Sequence, residues 1–401
     1  MIRFLSKYNP NNAQVVLLII LAIFIPSGFY NVEGIIISLL FVNWLLFIKG
    51  CKTISNIPVG TVLLSLFFVM YLVGFFITDS INLQLEATTK HLAYFFSLIG
   101  IEPSKNQLDN IKKGFIWATL LSVLFAFGYA FFDYLITGKS TVYVKSSVQS
   151  KFYYYGLTRV FRDWHPTYVS LFYNLSFIFV YNIYIENKKY IIAGVFVIIL
   201  FISIFLLNSF IGILSAAGIV FLYFISSIRG GEEWSLYLFL SDCCFHFNPF
   251  KLSKIDKFKS TKISVVDTKE ERNILNLRLV KWQTSYDLFK TAPSLGVSAD
   301  DYREKMVELY KKDGFSYAAD KRFSSHNQYL NILSSFGIVG FILFLTIIIY
   351  PLRFGGEMSL FLLIFSLFCL TEDILLRQQG LVFFCFFYSL LQLKSGAEHE
   401  I

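Results

Sequence analysis

The chain has 401 residues, of which 56% are hydrophobic, 19% aromatic and 15% charged, and its mean hydropathy is +0.60. Soluble domains are about 45–50% apolar and about 25% charged, so this composition excludes a soluble globular domain and a disordered chain. The net charge of +8 is explained better by the basic cytoplasmic loops of a membrane protein than by nucleic-acid binding. The five cysteines form no CxxC pair, so neither a disulfide framework nor a zinc site is predicted.

The apolar runs predict an all-α polytopic membrane protein with about twelve transmembrane helices, because each span needs about 20 mostly apolar residues. Two of the twelve are weak: 88–102 is short, and 234–250 carries Asp242 and His246. The ten clear runs, in chain order, are 14–29, 33–48, 60–78, 114–136, 166–184, 190–207, 209–227, 328–350, 357–371 and 379–393.

This pattern divides the chain into four regions. Residues 1–250 hold about nine transmembrane helices, 251–326 form one large extramembrane loop, 327–393 hold three more helices, and 394–401 form a short tail. Basic residues gather at alternate connections, which predicts that both termini are cytoplasmic and that the large loop lies on the opposite side.

Two connections on the outer side are also basic, the 138–164 connection and the large loop. Topology does not explain cations on that side, so we expect some of them to bind a ligand. Arg162 lies in the first of these connections, and Lys90 and Arg377 lie at short outer turns.

The large loop is predicted to contain an amphipathic helix over 273–290, which Pro293 ends and after which Gly296 allows a turn. A second short helix is predicted over Asp300–Tyr310, and the adjacent Asp300 and Asp301 are explained best by helix capping or solvation. The predicted stripe of the first helix consists of Leu275, Arg278, Leu279, Trp282, Tyr286 and Phe289.

The strongest candidate for chemistry is His326, which is followed by Asn327 where the large loop re-enters the membrane. An imidazole at such a boundary is close to water yet partly desolvated, so it can exchange protons near neutral pH. A histidine that only anchors the interface is the structural alternative.

Four motifs in chain order resemble the O-antigen ligase and polymerase superfamily of bacterial envelope glycosyltransferases. The clearest is SHNQYLNILSSFGIVG from Ser325, in which a His-Asn pair precedes leucines and a spaced pair of glycines. The others are RLVKW from Arg278 with the later PSLG from Pro293, WHPTY from Trp164, and EDILLRQQG from Glu372. Together they cover the chain from about residue 160 to its end.

One position departs from the family pattern. The family usually has Ser-Arg at the outer start of the span that begins here at Ser209, and this chain has Phe210 in place of the arginine. One cation that the family directs at its donor is therefore absent or supplied from elsewhere, and Arg162, Lys90 and Arg377 are the candidates.

The resemblance implies a glycan donor on polyprenyl pyrophosphate, a lipid or glycan acceptor, and the bacterial inner membrane with the large loop periplasmic. It implies no metal or other cofactor, because guanidinium groups can neutralise the leaving pyrophosphate. His326 is then expected to be the general base, and Arg278, Arg162, Arg377 and Lys90 are expected to bind the pyrophosphate. The expected cavity-lining residues are His165, Trp282, Asn327 and Glu372, with Glu372 holding Arg377.

Alternatives remain open at the level of sequence. The motifs do not separate a ligase from a polymerase, although a ligase is slightly favoured. A lipid-glycan flippase or another transporter would suit twelve spans, but no repeated halves are detected and the polar candidates gather at one surface, which favours chemistry there. A membrane acyltransferase would also use a histidine, though normally within its membrane helices.

Overall fold

The structure is a computed structural model that describes residues 10–46, 58–98, 103–144, 147–161, 164–230 and 274–397. The weak candidate span 234–250 and Arg162 lie outside these described residues. Helices dominate the described chain, as the apolar runs predict.

The N-terminal part contains helices α1 to α9 and a β-hairpin. Short 3-10 segments follow α1, α4 and α6, and a π-helical turn extends α7. The elements are α1 (Pro10–Phe24), α2 (Tyr30–Leu46), α3 (Val59–Gly74), α4 (Ile81–Lys90), α5 (Lys105–Thr137), β1 (Thr141–Val144), β2 (Ser147–Ser150), α6 (Tyr155–Thr158), α7 (Pro166–Val180), α8 (Tyr190–Leu206) and α9 (Phe210–Gly230).

The C-terminal part contains three helices of the predicted large loop and then three long helices. A 3-10 turn, Ile374–Leu376, separates the last two. The elements are α10 (Ile274–Thr291), α11 (Tyr302–Lys312), α12 (Ser316–Asp320), α13 (Gln328–Ile349), α14 (Gly356–Cys369) and α15 (Gln378–Ala397).

Helix α7 is the centre of the bundle, since each of its residues is buried. It contacts α5, α8, α9 and α14, so it touches no lipid over most of its length. Just after the C-terminal end of α7, Asn182 Nδ2 donates a 2.8 Å hydrogen bond to the carboxylate of Glu357 on α14. The same carboxylate forms a buried ion pair with the ammonium of Lys112 on α5. A buried charge pair needs such added hydrogen bonds to offset its desolvation.

Membrane insertion is supported by helix length and composition. Among the described residues, Lys105–Thr137, Pro166–Ile185 and Gln328–Phe354 are long and apolar enough to cross a membrane, and six shorter helices are apolar. The structure thus agrees with an all-α membrane protein, while the count of twelve spans and the placement of the loop stay predictions.

Two local features differ from the expected helices. The weak span 88–102 starts as the last turn of α4 and continues as a 3-10 helix, His91–Leu98. The 138–164 connection contains the antiparallel hairpin β1–β2. Lys151 holds this hairpin to α5 through its ammonium, which contacts the Asp133 carboxylate at 2.8 Å and donates to the Thr137 hydroxyl at 2.6 Å.

Candidate functional site

The loop before α13 is held by a carboxylate from another part of the chain, Asp373. Its Oδ1 accepts hydrogen bonds from Ser325 Oγ at 3.0 Å and from Asn327 N at 2.9 Å, and its Oδ2 accepts one from His326 N at 2.9 Å. His326 adopts φ +48°, in the left-handed region that a non-glycine residue rarely occupies. Asp373 therefore fixes a strained backbone at the residue that the sequence favours for chemistry.

The neighbouring Glu372 contacts the His326 side chain directly. His326 Nδ1 lies 3.2 Å from Glu372 Oε2, and both residues lie beside the cavity described below. Burial raises the pKa of Glu372, but the hydrogen bond from His326 and the charges of His165, His326 and Arg278 outweigh it, so the pKa falls below its usual range. An ionised Glu372 keeps the proton of His326 on Nδ1 and leaves Nε2 as the proton acceptor.

His165 lies on the other side of the same carboxylate. Its Nδ1 is 3.7 Å from Glu372 Oε1 and accepts a 3.3 Å hydrogen bond from Thr167 N, which caps α7. A nitrogen that accepts this bond has no proton to donate, and the shorter contact favours the cap. His165 therefore caps α7 and lies next to Glu372, but it is not among the described residues that line the cavity.

A cavity of about 250 Å³ opens beside this cluster. The two guanidinium groups among its described lining residues come from distant parts of the chain, Arg303 on α11 and Arg377 before α15. The lining residues are Tyr168, Arg303, Ser324, His326, Glu372, Asp373, Leu376 and Arg377.

Helix α10 brings two further cations near the site. The positive charge of Arg278 lowers the pKa of Glu372, and the same charge acts on Lys281. Lys281 is 8% exposed and its ammonium lies 4.4 Å from the Phe323 ring centroid. Burial, and then the charge of Arg278, lowers the pKa of Lys281 to about 8. A proton can therefore leave this ammonium under mildly basic conditions.

The buried face of α10 is not its predicted stripe. Val280, Thr284 and Ser285 are fully buried, whereas Tyr286 of the stripe is 46% exposed. Ser285 Oγ lies 2.9 Å from Ser334 Oγ on α13, and the Ser334 hydroxyl also donates to Ser285 O at 2.7 Å. Small polar residues form this contact because they allow two backbones to approach closely.

The turn after α10 crosses α13 where that helix is broken. Gly337 has φ +64° and ψ −163°, which interrupts the helical hydrogen bonds. The turn replaces them: Val297 N donates to Ser334 O at 3.0 Å, and Ile338 N donates to Pro293 O at 2.9 Å. A Cβ on Gly337 would lie 2.3 Å from Ser294 O. Both motif segments, Pro293–Gly296 and the glycine-containing helix, thus fix one crossing.

Three further expectations concern Arg377, the Glu372–Arg377 pair and Lys90. Arg377 lines the cavity, and its guanidinium lies 5.6 Å from the Tyr168 ring centroid. Within the described chain the Glu372 carboxylate contacts the imidazoles of His326 at 3.2 Å and His165 at 3.7 Å, and the expected Glu372–Arg377 ion pair is not formed. Lys90 is outside the cavity, where it forms an exposed ion pair with Glu86 at 2.6 Å.

Asn327 and Trp282 also differ from the expected cavity lining. Asn327 caps α13, its Oδ1 accepting from Tyr329 N at 3.0 Å and from Leu330 N at 3.2 Å. The indole nitrogen of Trp282 is buried and has no hydrogen-bond partner among the described residues. Phe210, at the place of the missing arginine, is 64% exposed.

Sequence reasoning missed Asp373, Arg303 and Lys281. The acidic pair Glu372–Asp373 was a signal, since two adjacent carboxylates before a membrane helix need partners. Asp300 and Asp301 were assigned to capping or solvation, but Asp300 Oδ2 accepts from Thr78 Oγ1 at 2.6 Å and Asp301 Oδ2 accepts from Asp79 N at 2.9 Å. No group of three or more His, Cys, Asp or Glu side chains in the described segments is arranged to hold a metal ion.

Comparison with known proteins finds a family match for the central part of this chain. The family model described as O-antigen ligase matches residues 175–345, which is less than half of the chain. The matched segment contains Arg278, the Pro293–Gly296 turn, His326 and Gly337, while Glu372 and Arg377 lie beyond it. No curated protein matches the chain. Residues 175–345 are therefore similar to the O-antigen ligase family that the four motifs resemble.

Proposed function

We propose that this protein is a membrane glycosyltransferase that moves a glycan from polyprenyl pyrophosphate to a lipid or glycan acceptor. Members of the matched family are glycosyltransferase-like ligases or polymerases. The observation that carries the proposal is the Glu372–His326 contact of 3.2 Å at the wall of a cavity that also holds guanidinium groups. It joins a proton acceptor to cations in one place.

The proposed step forms one bond and breaks one. An acceptor hydroxyl gives its proton to His326 Nε2, and its oxygen attacks the anomeric carbon of the donor sugar. The bond between that carbon and the phosphate oxygen breaks, and the pyrophosphate leaves with the electron pair. Arginines that stay charged stabilise the developing negative charge. The proton on His326 then passes to water.

Each group has an assigned part in this proposal. Glu372 orients the imidazole and stabilises its protonated form, as a carboxylate does for a catalytic histidine elsewhere. Arg278 and Arg377 act on the pyrophosphate, and Asp373 holds the backbone of His326. We include His165 as a residue that lies 3.7 Å from the Glu372 carboxylate and acts through it. The reaction needs no metal or other cofactor on this account.

The proposal extends to location and topology. We infer the bacterial inner membrane, twelve spans, cytoplasmic termini and a periplasmic loop over 251–326, because the basic connections alternate as such a topology requires. The wall of the cavity includes the end of that loop, so the donor would be used at the periplasmic face. Membrane lipids surround the exposed apolar faces.

Replacement of His326 tests the proposal in the native host. The His326→Ala protein should lose glycan display on gels at normal protein level, and Arg278→Ala should reduce it strongly. The matched control is Arg322→Ala, since Arg322 is exposed in the same loop and pairs with Glu304. Normal display from a well-expressed His326→Ala protein would contradict the general base.

The glycan products of a strain that lacks the protein separate the related activities. A deletion that strands long polymer on the carrier identifies a ligase, whereas single repeats on the acceptor identify a polymerase. A flippase predicts a third result, in which donor glycan accumulates at the cytoplasmic face and the purified protein transfers nothing.

A further inference from the structure

The turn that carries the acidic pair Glu372–Asp373 is held by its backbone as well as by its side chains. Leu375, the middle residue of the Ile374–Leu376 turn, is buried. Its N–H donates a 2.7 Å hydrogen bond to Gln328 Oε1, and its carbonyl oxygen lies 3.2 Å from His91 Nε2. Both backbone polar groups of this residue are therefore met by buried side chains from other parts of the chain.

Gln328 joins this turn to the loop that carries His326. It is the first residue of α13 and lies two positions after His326. Its side chain is 1% exposed, and its Nε2 donates a 3.4 Å hydrogen bond to Asn331 Oδ1, which directs Oε1 at the turn. The bond to Leu375 therefore spans 47 positions and fixes the turn beside the start of the helix that follows the histidine.

His91 joins the same turn to the N-terminal half of the chain, outside the family match to residues 175–345. It begins the 3-10 helix His91–Leu98 and is 5% exposed. Its ring stacks on Tyr71 of α3 at a centroid distance of 4.1 Å, and the Tyr71 ring contacts Phe336 of α13 at 4.8 Å. The imidazole therefore has a fixed place between α3 and the turn.

Each ring nitrogen of His91 faces a carbonyl oxygen. Nδ1 lies 2.6 Å from Ala87 O, one helical turn earlier, and Nε2 lies 3.2 Å from Leu375 O. A carbonyl oxygen only accepts hydrogen bonds, so a neutral ring with one N–H can donate to one of the two, and a protonated ring donates to both. Ala87 O already accepts from the backbone N–H of His91. A proton on Nε2 therefore adds a bond between residues 284 positions apart, whereas a proton on Nδ1 repeats a local one.

We propose that His91 and Gln328 are positioning residues of the active site that clamp the Leu375 backbone. The clamp keeps Glu372 against the His326 ring. This inference rests on the proposed function, because it concerns the same site. Neither clamp residue is among the described residues that line the cavity, so each acts through the turn. When the clamp is loosened, the protonated imidazole that forms during transfer loses the carboxylate that stabilises it.

The test is a set of His91 variants, assayed as purified full-length protein with polyprenyl-diphosphate-linked glycan from the native host. His91→Phe keeps a ring against Tyr71 and removes both nitrogens, so kcat should fall about tenfold, with KM for the donor within about twofold of the parent. His91→Gln can place an amide donor where Nε2 lies and should recover kcat to within about threefold of the parent. His91→Asn is the matched control, since its amide lies where Nδ1 lies, and it should transfer as slowly as His91→Phe.

Two variants elsewhere extend the test, with melting temperature measured on each sample. Gln328→Leu leaves the Leu375 N–H unpaired and should also lower kcat about tenfold. Tyr223→Phe removes a 3.3 Å hydrogen bond to Asn182 at the opposite end of α7 and should change neither kcat nor its pH profile. In His91→Phe and Gln328→Leu the acidic limb of that profile should move to lower pH, because the protonated form of the base is less stable there.

The outcomes separate this inference from the proposed function. A folded His91→Phe protein with kcat within about twofold of the parent would overturn the inference, as would equal transfer by His91→Gln and His91→Asn. An acidic limb that stays at the pH of the parent would also overturn it, since a loss of stability alone lowers activity without moving that limb. Transfer at the parent's rate by His326→Ala would instead overturn the proposed function.

Discussion

Replacing Asp373 with asparagine isolates the contribution of one carboxylate to the geometry of the site. The carboxylate accepts hydrogen bonds of 3.0, 2.9 and 2.9 Å from the loop that carries His326. An amide of the same shape keeps one oxygen and turns an NH₂ group toward at least one N–H or O–H donor. Hydrogen bonds to a charged group contribute about 1.5–3 kcal/mol each, so the local loss should be about 2–4 kcal/mol.

This loss acts on a strained residue. The φ of His326 is +48°, and such a backbone costs about 1–3 kcal/mol unless its surroundings impose it. With the anchor weakened, His326 would leave the productive geometry most of the time, and about 2–4 kcal/mol corresponds to about 30- to 1,000-fold in population. We expect the transfer rate of Asp373→Asn to fall by a factor in that range.

The assay is glycan transfer by purified protein, with thermal unfolding measured on the same sample. Ser325→Ala removes one of the three hydrogen bonds and should cause a smaller loss, about tenfold. Asp320→Asn is the matched control, since Asp320 is exposed at the end of α12. A folded Asp373→Asn protein that transfers glycan within about threefold of the parent would refute the anchoring role.

Three further changes probe the helix crossing, a buried charge and the leaving group. Gly337→Ala should lower the free energy of unfolding by about 3–5 kcal/mol, because its Cβ would lie 2.3 Å from Ser294 O at a φ of +64°. The control is Gly218→Ala, whose Cβ would have nothing within 4 Å and whose melting temperature in detergent should be unchanged or slightly higher. Equal melting temperatures of the two variants would contradict the proposed helix crossing. The pKa of Lys281 falls from 10.5 to about 8 in the folded protein, so between these two pH values the unfolded state binds more protons. The free energy of unfolding should therefore rise with pH across this window, by about 3 kcal/mol. Unfolding measured across the window should show this rise in the parent but not in Lys281→Met. Transfer should persist after chelator treatment, and strict dependence on an added divalent ion would contradict leaving-group stabilisation by arginine.

The motifs that contain His326 and Glu372 could be identified in the sequence, but the residues that each one contacts could not. His326 and Glu372 were both identified, yet the bond between them joins residues 46 positions apart. Arg377 was expected to pair with Glu372, but its guanidinium lies 5.6 Å from the Tyr168 ring centroid and the Glu372 carboxylate contacts His326 at 3.2 Å. Which opposite charge a carboxylate meets depends on how α7, α13 and the turn before α15 pack together.

Helix α10 shows that an apolar stripe does not by itself predict which face of a helix packs against the protein. A stripe of apolar side chains normally marks the side of a helix that packs on a soluble core. Beside a membrane the surrounding lipid is as apolar as that core, so the apolar side need not be the packed one. Here Thr284 and Ser285 are fully buried, while Tyr286 on the predicted stripe remains 46% exposed. The predicted helix over 273–290 is present as Ile274–Thr291, and its closely packed side lies beside the apolar stripe.

The acidic pair Glu372–Asp373 divides two tasks that a single carboxylate could not perform. Asp373 accepts bonds from the backbone and hydroxyl groups of the loop, so it determines where His326 lies. Glu372 contacts the ring of His326, so it determines which nitrogen carries the proton. Adjacent residues on one turn can do both because their side chains diverge, one toward the loop backbone and one toward the ring. The turn between α14 and α15 therefore organises the proposed active site, although the matched family segment ends before it.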